Sequence, residues 1–102
     1  MRRILGLLVA CLVLGAPAVA NAAVGATVRA KDNFFQPQRV VISVGEKVKW
    51  VNRGNNRHTT SGDGWHERLN PDEVFRRRFN AMGTFRYKCR IHDDMRGKVI
   101  VQ

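Results

Sequence analysis

From residue 39 onward, apolar side chains recur at every second position, and this alternation limits the fold more than any other feature of the chain. Val40, Ile42 and Val44 alternate with Arg39, Val41 and Ser43. Val48 and Trp50 alternate with Lys47, Lys49 and Val51. Phe85, Tyr87 and Cys89 alternate with Arg86, Lys88 and Arg90, and Val99 and Val101 close the chain after Gly97. A period of two puts one set of side chains on a buried face and the other in water, as in antiparallel sheets. Turn-forming clusters separate the runs: Gln36-Pro37, Gly45-Glu46, Gly54-Asn55-Asn56, Gly62-Asp63-Gly64, Asn70-Pro71-Asp72 and Met82-Gly83. Short strands at this spacing predict an all-β fold, a small β-sandwich or barrel. Residues 74–79 read as a further strand in which Phe75 and Phe79 share a face with Arg77, which places Arg77 near a sheet edge. Met82 reads as a core residue. No stretch has the 3.6-residue period of an amphipathic helix.

The N-terminus follows a different pattern. Met1-Arg2-Arg3 precedes an apolar run from Ile4 to Leu14, broken only by Gly6. Gly15, Pro17 and the small residues of Ala18-Val19-Ala20-Asn21-Ala22 follow, and Ala20-Asn21-Ala22 matches a signal-peptidase site. The expectation is a signal peptide over residues 1–22, cleaved after Ala22, and a mature domain over 23–102 in the periplasm or outside the cell. The apolar run is shorter than the roughly 20 residues of a membrane span. Cys11 lies too early in that run for a lipid anchor, and Arg2-Arg3 fits any n-region as well as a twin-arginine signal. Without the leader, 16 Lys+Arg stand against 8 Asp+Glu, for a net charge of +8, and Cys89 is the only cysteine. A domain of this size usually needs a disulfide or a metal to brace it. One thiol allows no internal disulfide, so a metal becomes the question.

The residues around that thiol speak to it. Cys89, His92 and Met95 are spaced Cys-x2-His-x2-Met across a strand end and the turn after it, and His58 lies 31 residues upstream in a loop. One thiolate, two imidazoles and a thioether form a soft donor set, and a His2Cys plane with a weak axial Met suits copper electron transfer. Zinc also takes Cys and His, but a thioether is a poor zinc ligand. His66 reads as a surface or hydrogen-bonded histidine.

Over about residues 27–102 the chain resembles the plastocyanin-like cupredoxins, small blue (type 1) copper proteins. Phe34-Phe35-Gln36-Pro37 is similar to the family's F-x-P segment, and Val44-Gly45-Glu46-Lys47-Val48-Lys49-Trp50-Val51-Asn52 to V-G-D-x-V-x-W-x-N. His58-Thr59-Thr60-Ser61 resembles the first ligand loop. Met82-Gly83-Thr84-Phe85-Arg86-Tyr87-Lys88-Cys89 is similar to P-G-T-x-x-Y-x-C, with Met in place of Pro. The two residues between His92 and Met95 resemble the short ligand loop of amicyanins. The resemblance implies a Greek-key β-sandwich and one copper ion held by His58, Cys89, His92 and Met95. It also implies supporting roles for Thr59, whose backbone N–H would point at the Cys89 sulfur, and for Asn52. His58 would be the buried imidazole and His92 the exposed one.

Function follows as two expectations. The first is an exported carrier of single electrons through Cu(II)/Cu(I). The alternative is a periplasmic protein that buffers or delivers copper. An enzyme is not expected, because Met95 would fill the axial position. The positive charge points to redox proteins with an acidic docking surface, and Arg76-Arg77-Arg78 is a candidate patch. Weak association with an anionic membrane surface is compatible with the charge. Nucleic acid is not expected as a partner of an exported chain, and the protein should be a monomer.

Overall fold

The computed structural model describes residues 22–102, so the leader, apart from Ala22, lies outside the described residues. Nine strands follow in order: β1 (Val24–Lys31), β2 (Phe34–Gln36), β3 (Arg39–Ile42), β4 (Lys47–Asn52), β5 (His58–Gly62), β6 (Trp65–Leu69), β7 (Val74–Arg78), β8 (Gly83–Lys88) and β9 (Arg96–Val101). They form two sheets, β2-β1-β4-β7 and β3-β9-β8-β5-β6. No helix occurs among the described residues. This is the expected all-β sandwich, with one difference. Both sheets are mixed, since β1 runs parallel to β4 and β3 parallel to β9. Side-chain alternation has the same period in parallel and antiparallel strands, so it carries no information on direction.

The inward parity is the one the sequence shows. Val40, Ile42, Val48, Trp50, Tyr87, Cys89, Val99 and Val101 are all buried. Trp50 is 0% exposed, with the rings of Tyr87, Phe75, Trp65 and Phe79 at centroid distances of 5.3, 5.8, 5.9 and 6.4 Å. It therefore joins the two sheets, since Phe75 belongs to one and Trp65 and Tyr87 to the other.

Two positions depart from the expected pattern. Val51 has outward parity but is only 4% exposed. β4 lies between β1 and β7, where Arg29 and Val74 stand opposite Val51 on either side, and the Arg29 stem can cover apolar surface. Met82 is not in the core. It is 73% exposed, because it precedes β8 in a turn and takes no part in the strand's inward parity.

Residues 74–78 form the expected strand, and β7 is an edge. Arg77 faces inward there, with its guanidinium 4.8 Å from the Trp65 ring centroid and 5.0 Å from that of Phe79. The cation lies on aromatic faces while staying next to solvent, which resolves the odd Phe-Arg-Phe pattern. Arg78 Nε donates to the Gly45 carbonyl at 3.2 Å, and Arg76 points outward. Gly45, at φ +92°, makes the turn into β4 that a side chain would disfavour, and its N–H donates to the Phe79 carbonyl at 2.7 Å.

The Tyr87 hydroxyl and the Trp50 Nε1–H are both buried without a hydrogen-bond partner, and burial pushes the Tyr87 pKa up to about 12, with the nearby Trp50 N–H opposing it. Removing an unpartnered buried polar atom should cost nothing. Tyr87→Phe is therefore expected to hold or raise the thermal midpoint, and a clear loss of stability on melting would show that the hydroxyl is in fact satisfied.

Candidate metal centre

The site forms where two strand ends meet. His58 opens β5, Cys89 follows β8, and residues 89–95 turn the chain into β9. Two backbone bonds close that turn: Cys89 N–H to the Met95 carbonyl at 2.9 Å and Met95 N–H to the His92 carbonyl at 3.3 Å. The loop is too short to splay, and it holds Cys89 and His92 with their donor atoms 3.6 Å apart.

One ligand atom each from His58, Cys89 and His92 lie within 4.8 Å of one another. Cys89 Sγ is 3.9 Å from His58 Nδ1 and 3.6 Å from His92 Nδ1. Metal–imidazole and metal–thiolate bonds of about 2.0–2.3 Å separate neighbouring donors in a trigonal plane by about 3.8 Å. The sulfur already stands at that spacing from both imidazole nitrogens, and all three donors lie within 4.8 Å of one another, so the residues fit a copper ion. His58 and Cys89 are buried and His92 is half-buried, matching the expected inner and outer imidazoles. Met95 is wholly buried in the same loop. His66 is exposed, and its Nδ1 lies 2.6 Å from Ser61 Oγ, outside the donor cluster.

The supports are equally specific. Thr59 N–H points at Cys89 Sγ at 3.3 Å, as the resemblance implied. Its hydroxyl also accepts the Arg90 N–H at 2.8 Å, which ties β5 to the ligand loop just beyond the thiol. Asn52 is fully buried and uses its whole amide. Its Oδ1 accepts the Gly54 N–H at 2.8 Å, and its Nδ2 donates to the Asn56 and Leu69 carbonyls, both at 2.8 Å. It thus shapes residues 53–57, the segment that delivers His58.

Asp32, from the β1–β2 turn, is the residue the sequence did not disclose. Its Oδ1 lies 2.8 Å from His58 Nε2. The carboxylate accepts the Nε2 proton, which leaves Nδ1 with a free lone pair facing the thiol. Asn55 N–H bonds both carboxylate oxygens at 3.0 Å, and Asn56 N–H bonds Oδ1 at 3.2 Å. These contacts hold Asp32 down at about 2, with the Asn55 N–H the largest cause and His58 the next. Gly54 makes room for them: a Cβ there would overlap the Asp32 carboxylate and come within 2.9 Å of His58 Nε2. That a ligand imidazole needs an acceptor on its second nitrogen is general, but nothing in the sequence marks Asp32, 26 residues away, as the one.

Residues 4–101 match the family model of the cupredoxin-like domain. The chain is a cupredoxin. It is 36% identical over 103 residues to amicyanin-alpha of Methylorubrum extorquens, covering 91% of this chain and 87% of that one. Among solved structures, amicyanin from Paracoccus versutus superposes with a TM-score of 0.69 at 30% identity, over 76% of this chain and 81% of that chain. A copper-containing nitrite reductase from Thermus scotoductus superposes with a TM-score of 0.72 at 25% identity. That match covers 88% of this chain but 27% of the reductase, so the cupredoxin unit there is one part of a larger chain. In this cupredoxin, His58, Cys89 and His92 are the residues positioned to bind copper.

Proposed function

We propose that this cupredoxin is an exported one-electron carrier, in which Met95 would join His58, Cys89 and His92 in holding the copper and residues 1–22 serve as the export signal. A copper ion at this site supplies Cu(II)/Cu(I) chemistry. The observation that carries the reading is the pre-set cluster of His58, Cys89 and His92, whose sulfur lies 3.9 and 3.6 Å from the two imidazoles, with only the His92 imidazole reaching toward solvent. Donors fixed by β5, β8 and a closed seven-residue loop move little when the charge of the site changes. Thr59 N–H stabilises electron density on the sulfur and favours the reduced state. The Asp32 carboxylate acts oppositely through His58. The half-buried His92 edge is the path for the electron, and Met95 leaves no open position for a substrate, so the protein is a carrier and not an enzyme. A net charge of +8 steers it toward acidic redox partners, with on-rates that fall as salt rises.

Reconstitution with Cu(II) tests this directly. The expected product absorbs strongly in the orange-red from thiolate-to-copper charge transfer, gives a type 1 paramagnetic-resonance spectrum and cycles reversibly on an electrode. A colourless holo-protein would sink the reading. Met95→Leu, nearly volume-conserving in the core, is expected to shift the potential while changing the apo melting point little. Ready loss of Cu(I) to a chelator, together with sluggish voltammetry, would favour copper delivery instead.

A further inference from the structure

The basic charge is concentrated on one face. The register of β3, β9 and β8 sets Arg39 opposite Lys98, Lys98 opposite Arg86, and Arg96 opposite Lys88, all on the outer side of the five-stranded sheet. Arg90, exposed just after Cys89, extends the row. Among the described residues none of these six cations has a carboxylate within 4.0 Å. Asp93 borders the face, sharing a shallow cleft with Lys88, Arg90 and Arg96.

Like charges set directly opposite each other across strands destabilise a sheet. Charged edges are commonly explained by protection against aggregation, but β9 is interior and β8 pairs with β5 at Lys88, so of the paired cations only Arg39 and Arg86 lie where a strand has an open side. The arginine run of β7 differs: it lies on an edge, Arg77 covers two rings, and Arg78 bonds a carbonyl. The β3-β9-β8 face therefore carries a cost that no internal contact offsets. An anionic partner would offset it.

We infer that this face docks the acidic surface of a protein redox partner, an inference that rests on the electron-carrier reading. The cations span three strands about 4.8 Å apart, which matches a broad charged surface better than one small anion. The aromatic side chains of β8, Phe85 and Tyr87, point inward, so the face offers no platform for stacking bases. Lys88 and Arg90 flank Cys89, so a partner seated here lies over the strand end that supplies the thiolate.

The test uses the copper-loaded mature protein and a small acidic [2Fe–2S] ferredoxin as surrogate donor, in stopped flow at low and high salt. The face variant, Arg86→Glu with Arg96→Glu, should fold at least as well as the wild type, because each reversal turns a like-charged cross-strand pair into an opposite one. The control, Arg29→Glu with Arg76→Glu, changes net charge equally on the other sheet. The face variant is expected to react about tenfold more slowly at low salt and to lose most of its salt dependence, while the control changes about twofold or less. Equal losses in both variants, or none in the face variant, would overturn the docking face. Tighter binding of the wild type to a short DNA duplex than to the ferredoxin would overturn it in favour of nucleic acid. Hydroquinone, an uncharged donor, reads the copper site alone. If it fails to reduce the wild type, the carrier reading itself fails.

Discussion

Trp50→Ala is expected to lower the melting temperature of the copper-free domain by about 15–30 °C, and copper to restore most of it. The indole is wholly buried and lies against four other rings drawn from both sheets. Truncating such a side chain costs about 3–5 kcal/mol, and each kcal/mol moves the midpoint of a domain this small by about 4–8 °C. The loss matters because the total is small: about 0.05–0.15 kcal/mol per residue. A single thiol, Cys89, leaves no disulfide to make up the difference. Copper binds only the folded arrangement of His58, Cys89 and His92, and at a thousandfold over its Kd returns about 4 kcal/mol. Calorimetry of the apo and copper-loaded variants checks both halves. An apo drop below about 5 °C would show that the core does not depend on this ring.

The features legible in the sequence were those encoded by neighbours along the chain. Phe85, Tyr87 and Cys89 announce their inward face through the charged residues between them, and β8 has that parity. Cys89 and His92 fall within one loop, so their spacing alone brings two donors together. Arg77 could be placed at an edge because a cation between two inward phenylalanines has nowhere else to go. Long-range features were not legible. The parallel pairing of β1 with β4 and of β3 with β9 leaves no mark on side-chain period. The burial of Val51 depends on Arg29 and Val74, contributed by other strands. Met82 looked like core because it is apolar, yet Met82-Gly83 also read as a turn, and it is the turn that exposes the side chain. The Thr59 hydroxyl found its partner, Arg90 N–H, 31 residues later.

Asp32 is the sharpest of these long-range features, and Asp32→Asn should act strongly at the metal. The amide keeps the size of the side chain and one acceptor for His58 Nε2–H, so the change removes the charge together with one of the two oxygens that accept the Asn55 N–H. A carboxylate on the far nitrogen makes the ligand imidazole more basic and favours the more highly charged Cu(II). Loss of such outer partners typically costs 10–100-fold in metal affinity. If that loss falls on Cu(II), the potential should rise by about 60–120 mV, at 59 mV per tenfold for one electron. Voltammetry gives the shift, and chelator competition in each oxidation state shows where it arises. A lower potential would mean that the carboxylate is not acting through His58. The apo protein offers a separate check. The Asn55 N–H and His58 hold Asp32 down at about 2, below its ordinary value of 3.8, so its contribution to folding is present above 3.8 and fades as pH falls toward 2. That part of the acid unfolding profile should flatten in Asp32→Asn. Gly54→Ala reaches the same carboxylate from the backbone side, since its Cβ would overlap Asp32. Its Cβ would also crowd His58 Nε2, so a rise in potential in both variants would place the effect at the Asp32–His58 pair, and Asp32→Asn gives the part due to charge.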